Sequence, residues 1–401
     1  MTAVAAIAAI AEVFAVFLRL GLTSFGGPVA HLGYFREAFV TRRRWLGEAA
    51  YADIVALCQF LPGPASSQVG MVIGLSRAGY GGALAAWLGF TLPSAVALIV
   101  FAIGLAEYGS AIPAGVLHGL KLAAVAVVAQ AVWGMARSLC PDAPRLTLMV
   151  LTAGAVLLVP SPWCQLGAMV LAGALGTRLF RAAGATAHEP LAIPAGQRIA
   201  VLCLLAFLAL LIALPLAARA SGSHTVALLD AFFRAGALVF GGGHVVLPLL
   251  QAAVVPPGWV DADTFLAGYG AAQAVPGPLF TFAAFLGAAG TQPPHGWAGG
   301  LLAVAAIFAP SFLLVFGALP FWERLRRQPA ARGALAGVNA AVVGLLLAAL
   351  YDPVWTSGVR SAADFALAVL AVAALAVWRA PPWLVVAGCA LGGWLLQWGD
   401  Y

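Results

Sequence analysis

Long apolar stretches alternate with short polar loops along this chain, and many of the stretches are about as long as a helix that crosses lipid. Residues 84–106, 115–136, 199–218 and 363–377 are uncharged or carry a single charge; a spanning helix needs about 20 mostly apolar residues. The segments sort into two sets of six. The first set covers residues 8–40, 53–75, 83–105, 115–137, 146–160 and 163–180. The second covers 226–252, 263–289, 297–320, 332–351, 362–378 and 382–398. Between them lie a polar stretch, 181–197, and one further apolar helix, 199–218. The pattern predicts an all-α polytopic membrane protein.

The two sets are related in sequence. Phe25-Gly26-Gly27-Pro28 returns as Phe240-Gly241-Gly242-Gly243, an offset of 215. Trp45 returns as Trp259, and Gln59-Phe60-Leu61-Pro62-Gly63-Pro64 as Gln273-Ala274-Val275-Pro276-Gly277-Pro278, both at an offset of 214. Pro93-Ser94 matches Pro310-Ser311, and Gly119 matches Gly337. Landmarks in one order at nearly constant spacing mark a tandem duplication. The expected units are a first membrane repeat at 1–180, a linker with one connecting helix at 181–225, and a second repeat at 226–401. An unpaired crossing between the repeats inverts the second one.

Charge tests that inversion. The Arg42-Arg43-Arg44 loop corresponds to a stretch with Asp261 and Asp263 and no basic residue, while Arg324, Arg326 and Arg327 correspond to a loop near Glu107. The bias flips between the halves, as inverted repeats require. Setting aside Arg19, Lys121 and Arg234 inside apolar segments, 17 basic residues split 11 to 6 between the two sides if all segments cross. If the first two segments of each half enter and leave on one face, the split becomes 15 to 2. This favours about nine full crossings plus broken or re-entrant hairpins, with the basic side cytoplasmic. Thirteen crossings is the competing count.

Composition agrees: 63% of residues are hydrophobic and 8% charged, against about 25% charged in soluble domains. The net charge of +6 comes from loop arginines and does not point to nucleic acid. The first apolar stretch lacks a basic leader and contains Arg19, so it reads as a retained helix rather than a cleaved signal. Five scattered cysteines, Cys58, Cys140, Cys164, Cys203 and Cys389, read as small buried hydrophobes. No metal or other cofactor is expected.

Candidate chemistry sits at the breaks. Gly26, Gly27 and Pro28, and Pro62, Gly63 and Pro64, interrupt apolar segments, with Ser24 and Ser66 as short donors beside them. Gly241, Gly242, Gly243 and His244, with Pro276, Gly277 and Pro278, repeat the arrangement. A helix restarting after such a break exposes unsatisfied N–H donors and a partial positive charge, which attract anions. Four such termini could surround one tetrahedral oxyanion, as in broken-helix transporters; the alternative is that they are kinks and close-packing sites. Arg19 and Arg234 match at the repeat offset inside apolar helix. Each either supplies countercharge to the anion or pairs with Glu12 and Asp230 or the interface. Gln59 and Gln273 precede the second breaks and are candidates to donate to the anion or to the freed backbone. Lys121 corresponds to Asn339, an asymmetry suited to coupling or to the pathway. Titratable candidates for proton coupling are Glu12, His31, Asp53, His118, Asp230 and His244. Asp364 and the remaining acids, including Glu37, Glu48, Asp142, Glu189 and Asp352, read as ordinary loop or interface charges. No hydrolase, zinc-protease or phosphate-loop motif is present.

The paired Phe-Gly-Gly-Pro and Gln-Phe-Leu-Pro-Gly-Pro motifs, with their second-half copies, resemble the chromate ion transporter family, in particular its long two-domain members. The resemblance implies efflux of chromate from the cytoplasm, driven by the proton motive force across a bacterial inner membrane, with sulfate as a structural analogue. Gly243 in place of the first-half proline, and Ala274-Val275 in place of Phe60-Leu61, depart from a perfect double motif. The expected partners are a chromate- or sulfate-type oxyanion, coupled protons, the lipid bilayer and a second copy of the chain as a homodimer. An oxyanion uptake system or passive anion channel is the alternative function, and a membrane scaffold or embedded enzyme is the alternative from another class.

Overall fold

A computed structural model describes residues 3–180, 196–325 and 328–399. The polar stretch 181–195, and Arg326 and Arg327 of the charge comparison, lie outside the described residues. Every regular element among the described residues is helical. The chain is an all-α polytopic membrane protein. The first half comprises α1 (Ala3–Thr23), α2 (Gly27–Arg36), α3 (Glu48–Phe60), α4 (Ala65–Tyr108), α5 (Ala114–Leu139), α6 (Ala143–Leu158) and α7 (Pro162–Leu179). The connecting helix is α8 (Gln197–Ser221). The second half comprises α9 (His224–Leu238), α10 (Val246–Val254), α11 (Ala262–Ala272), α12 (Phe282–Ala289), α13 (Gly296–Ala318) and the short α14 (Trp322–Leu325). It continues with α15 (Pro329–Ala349), the short α16 (Thr356–Gly358), α17 (Ala362–Ala376) and α18 (Pro382–Gly399).

The helices fall into two length classes. Six stretches, in α1, α4, α5, α8, α13 and the run 329–358 that begins with α15, are long and apolar enough to cross a membrane. By contrast α3 has 13 residues, α11 has 11 and α12 has 8. At 1.5 Å per residue even α3 is only about 20 Å long, well short of a hydrocarbon core of ~30 Å. The same holds inside α4, where Ala78 and Gly79 leave helical geometry, Gly79 at φ 64°. The chain reverses there, and the stretch up to residue 77 lies back against the stretch that follows. Gly74 and Gly82 touch backbone to backbone across that reversal, and Gly287 and Gly299 do the same in the second half. Side chains at these positions would force the two arms apart.

The halves interlock. The last two helices of each half pack on the fourth apolar segment of the other: α17 and α18 on α5, and α6 and α7 on α15. Small residues at four-residue spacing make the close crossings. Gly115 and Gly119 of α5 face Gly393 and Cys389 of α18, and Gly333 and Gly337 of α15 face Gly176 and Ala172 of α7. These are repeat-equivalent contacts, and in lipid such small-residue seams supply much of the packing energy. The connecting helix α8 lies outside this arrangement against α9 and α13; Ala200 is its one buried residue.

Candidate functional site

All four breaks meet in the middle of the fold, tied across the halves. The Gly63 N–H donates to the Val239 carbonyl at 2.7 Å, and the Gly277 N–H donates to the Ser24 carbonyl at 3.0 Å. Since Gly63 and Gly277, and Ser24 and Val239, are repeat equivalents, each half's second break is pinned to the other half's first break. Both glycines have left-handed backbone, φ 123° and 101°, which other residues rarely adopt. A Cβ at Gly63 would lie 2.8 Å from Ser311 Oγ, and one at Gly277 would lie 2.9 Å from Ser94 Oγ. The first breaks also face each other, with Gly27 toward the His244 ring and Gly243 against Pro28.

Helix N-termini at the breaks carry no side-chain cap. None is present at Gly26 before α2, at Pro64 before α4, or at Gly242 and Pro278 before the 3-10 turns that lead into α10 and α12. Away from the breaks α6, α7, α11 and α17 are capped by Asp142, Ser161, Asp261 and Ser361, while α3, α5, α8, α9, α13 and α15 lack side-chain caps as well. Uncapped termini keep donors that a ligand can use. Side chains add more. The hydroxyls of Ser24, Ser67, Thr91 and Ser311 and the Gln273 amide nitrogen are buried without a hydrogen-bond partner. Native interiors hold few such groups, and each needs an explanation such as ordered water or a ligand.

A cavity of about 60 Å³ opens among these elements, lined in part by Gly26, Gly27, Gln130, His244, Gln273 and Gly277. His244 Nδ1 and Tyr269 Oη hydrogen-bond at 2.9 Å. With the phenol donating, the ring proton sits on Nε2, the nitrogen that faces Gly27. His244, Gln273 and the backbone at Gly27 thus offer donors to one small space. His31 plays a different part. Its Nε2 reaches the Ser24 carbonyl at 3.2 Å and its Nδ1 lies 3.4 Å from Ser66 Oγ. A carbonyl only accepts, so Nε2 donates to it and the Ser66 hydroxyl donates to Nδ1. The ring links the first break at Ser24 to the second at Ser66.

Several expected site residues lie elsewhere. Arg19 is exposed on α1 and lines neither of the cavities described here. Arg234 makes a two-pronged bond to Asp230, 2.8 Å from Nε to Oδ1 and 2.6 Å from a terminal nitrogen to Oδ2. Asp230 is 4% exposed, so the pairing one helical turn away is what permits its burial. Neither arginine is brought to the centre. Glu12 pairs with Arg77 at 3.1 Å rather than with Arg19. Gln59 is exposed on α3 although its equivalent Gln273 lines the cavity. The Pro62 carbonyl freed at the second break accepts instead from Gln68 Nε2 at 2.7 Å. Pro276 is half-buried in its break, and Asp53 is buried in α3. Asn339 points its side-chain oxygen at Gly241.

A second cavity, about 880 Å³, opens at one end of the molecule where α5 of the first half meets α11, α17 and α18 of the second. Lys121 forms an ion pair with Asp263 at its wall. His118 Nε2 lies 2.8 Å from Asp364 Oδ1. Asp364, expected from sequence to be an ordinary loop or interface charge, is 6% exposed and also accepts the backbone N–H groups of Arg360 and Ser361. Two signals for the centre were visible in sequence and unused. Ser94 and Ser311 follow repeat-matched prolines, and Tyr269 lies four residues before Gln273 in a helix that ends at the break.

A chromate transporter family model matches residues 11–177 and, a second time, residues 226–394. The chain belongs to the chromate transporter family. It is similar to the chromate transport protein of Pseudomonas aeruginosa, 29% identical over 359 residues covering 85% of this chain and 80% of the relative. The chromate transport protein of Cupriavidus metallidurans is 28% identical over 394 residues, 94% of this chain and 90% of the relative. An uncharacterized transporter of Bacillus subtilis is 29% identical over 175 residues, 42% of this chain but 96% of the relative. No solved structure matches the chain. The twofold match makes the breaks of this transporter two copies of one family element.

Proposed function

We propose that the protein is a secondary transporter that exports chromate, or a sulfate-like oxyanion, from the cytoplasm, driven by the proton motive force and conferring chromate resistance. The observation that carries this reading is that three of the four uncapped breaks line one small cavity, through Gly26 and Gly27, through His244, and through Gln273 and Gly277, where Gln273 presents an unpartnered amide, while the fourth, at Gly63, is bonded to Val239 beside the His244 break. An oxyanion offers acceptors on every side and two negative charges. It is the complement of inward-facing N–H, hydroxyl, imidazole and amide donors. Gly26, Gly27, His244 and Gln273 hold the anion, with Gly277 bordering the cavity and Ser24 nearby. Arg19 and Arg234 act outside this cavity, Arg234 through Asp230.

We further propose that the halves are inverted repeats at 1–180 and 226–401, with nine crossings and re-entrant hairpins, in a bacterial inner membrane. The short α3, α11 and α12 suit half-crossings. The large cavity also favours this count. With hairpins, the turn at Gly109, the start of α11 and the loop at Arg360 share the side opposite the basic loops. With thirteen crossings, Asp263 would lie on the far side of the membrane from the other two, yet they line one cavity. Alternating access then follows from rocking one half against the other around the pinned breaks.

The test is flux of chromate and sulfate in proteoliposomes with an imposed pH gradient. Saturable chromate transport that accelerates when protons flow against the anion supports gradient-driven export. Flux that is indifferent to the gradient makes the protein a passive channel.

A further inference from the structure

The chain contains nineteen arginines and a single lysine, Lys121. That lysine is 6% exposed, yet it borders the 880 Å³ cavity. Its partner Asp263 comes from the other half, and the Asp263 side chain is 61% exposed. The pair therefore joins a buried cation on α5 to a solvent-facing carboxylate at the start of α11. The second half has no copy of it. The position equivalent to Lys121 is Asn339, and the position equivalent to Asp263 is Ala49.

We propose that Lys121 is a second oxyanion site, at the wall of the large cavity, and that Asp263 is its resident competitor. An incoming dianion displaces the carboxylate from Lys121 and so unties α11 from α5 on that side. This rests on the transporter reading above and adds to it a binding step distinct from the central cavity. The chemistry suits lysine. Its ammonium is a compact point charge with three donors on a flexible stem, and it can exchange one acceptor for another without the fixed fork that arginine imposes. A carboxylate open to water gives up its partner readily, because water re-solvates it. A buried lysine does not lose a partner unless another anion takes its place. His118 is tied to Asp364 at 2.8 Å and Arg360, which also lines the cavity, is exposed to water, which leaves Lys121 as the buried cation whose partner can leave. With the lysine on one half only, the two faces of the transporter open by different means.

The experiment uses the full-length chain carrying Thr264→Cys, a position that lines the same cavity. The rate of alkylation by a maleimide is measured against sulfate concentration; sulfate is the probe because chromate oxidises thiols. Sulfate is expected to slow alkylation. Asp263→Asn should lower the half-effective sulfate concentration by about fivefold or more. The double variant Lys121→Gln, Asp263→Asn removes both charges together, avoids a lone buried cation, and should abolish protection. Gln273→Ala should lower transport about tenfold while keeping protection, which separates this site from the central one. The inference is overturned if the double variant is protected like its parent, if Asp263→Asn leaves the sulfate dependence unchanged, or if Gln273→Ala alone removes protection. Lowered transport in Gln273→Ala with protection unaffected by Lys121 would leave the central site standing without this one. Should Asp263→Asn fail to fold, the double variant still decides.

Discussion

The two halves of this transporter share a frame and differ in the polar groups they hang on it. The frame is nearly symmetric: Gly63 and Gly277 each bond across to the other half, and the glycine seams of α5 with α18 and α15 with α7 repeat position for position. The polar groups are not. Gln273 lines the central cavity while Gln59 is exposed, Lys121 faces Asn339 across the duplication, and Arg234 is paired where Arg19 is exposed. Contacts that close backbone against backbone tolerate little change, so duplication preserves them. Side chains that meet the substrate or gate its path can diverge, and divergence gives the two faces different chemistry.

The strongest challenge to the symmetric frame is Gly63→Ala beside Gly277→Ala. Both backbones are left-handed, and both new Cβ atoms would press on a serine hydroxyl of the other half. Each variant should cut chromate flux at least about tenfold at normal membrane abundance, because an ångström-scale misplacement of donors is enough to do so. A harmless substitution at one of the two would show that the frame is not shared. The asymmetry comes next. Gln273→Ala should lower flux about tenfold, the worth of a hydrogen bond to a charged group, whereas Gln59→Ala should stay within about twofold. Equal effects from the two would erase the distinction drawn between them. Smallest is the arginine pair, read by thermal unfolding in detergent. Arg234→Gln leaves Asp230 buried without its cation and should destabilise by about 1–2 kcal/mol, and Arg19→Gln by less than about 0.5 kcal/mol.

Much of the frame was legible in sequence because its causes are local. Apolar segments announce helices, and Pro-Gly-Pro inside them announces breaks. The duplication fixed which breaks correspond. What sequence did not carry was direction around each helix. Arg234 and Asp230 sit one turn apart, so their mutual bond competes with any central role, and the repeat offset gives no hint of which wins. Gln59 and Gln273 look identical in motif, but Gln68 takes the Pro62 carbonyl in one half, and Gln59 is left at the surface. Asp364 read as a loop or interface charge because its partner, His118, is 246 residues away. The exchange of terminal helices between halves was equally hidden, since Gly115, Gly119, Gly333 and Gly337 name their own spacing but not the helix they meet.

Anomalous diffraction at the chromium edge from crystals grown with chromate would test the central claim most directly. The account predicts a chromium peak between Gly27, His244 and Gln273, within hydrogen-bonding reach of the break N–H groups. A peak at Arg19 or Arg234 with an empty centre would contradict it.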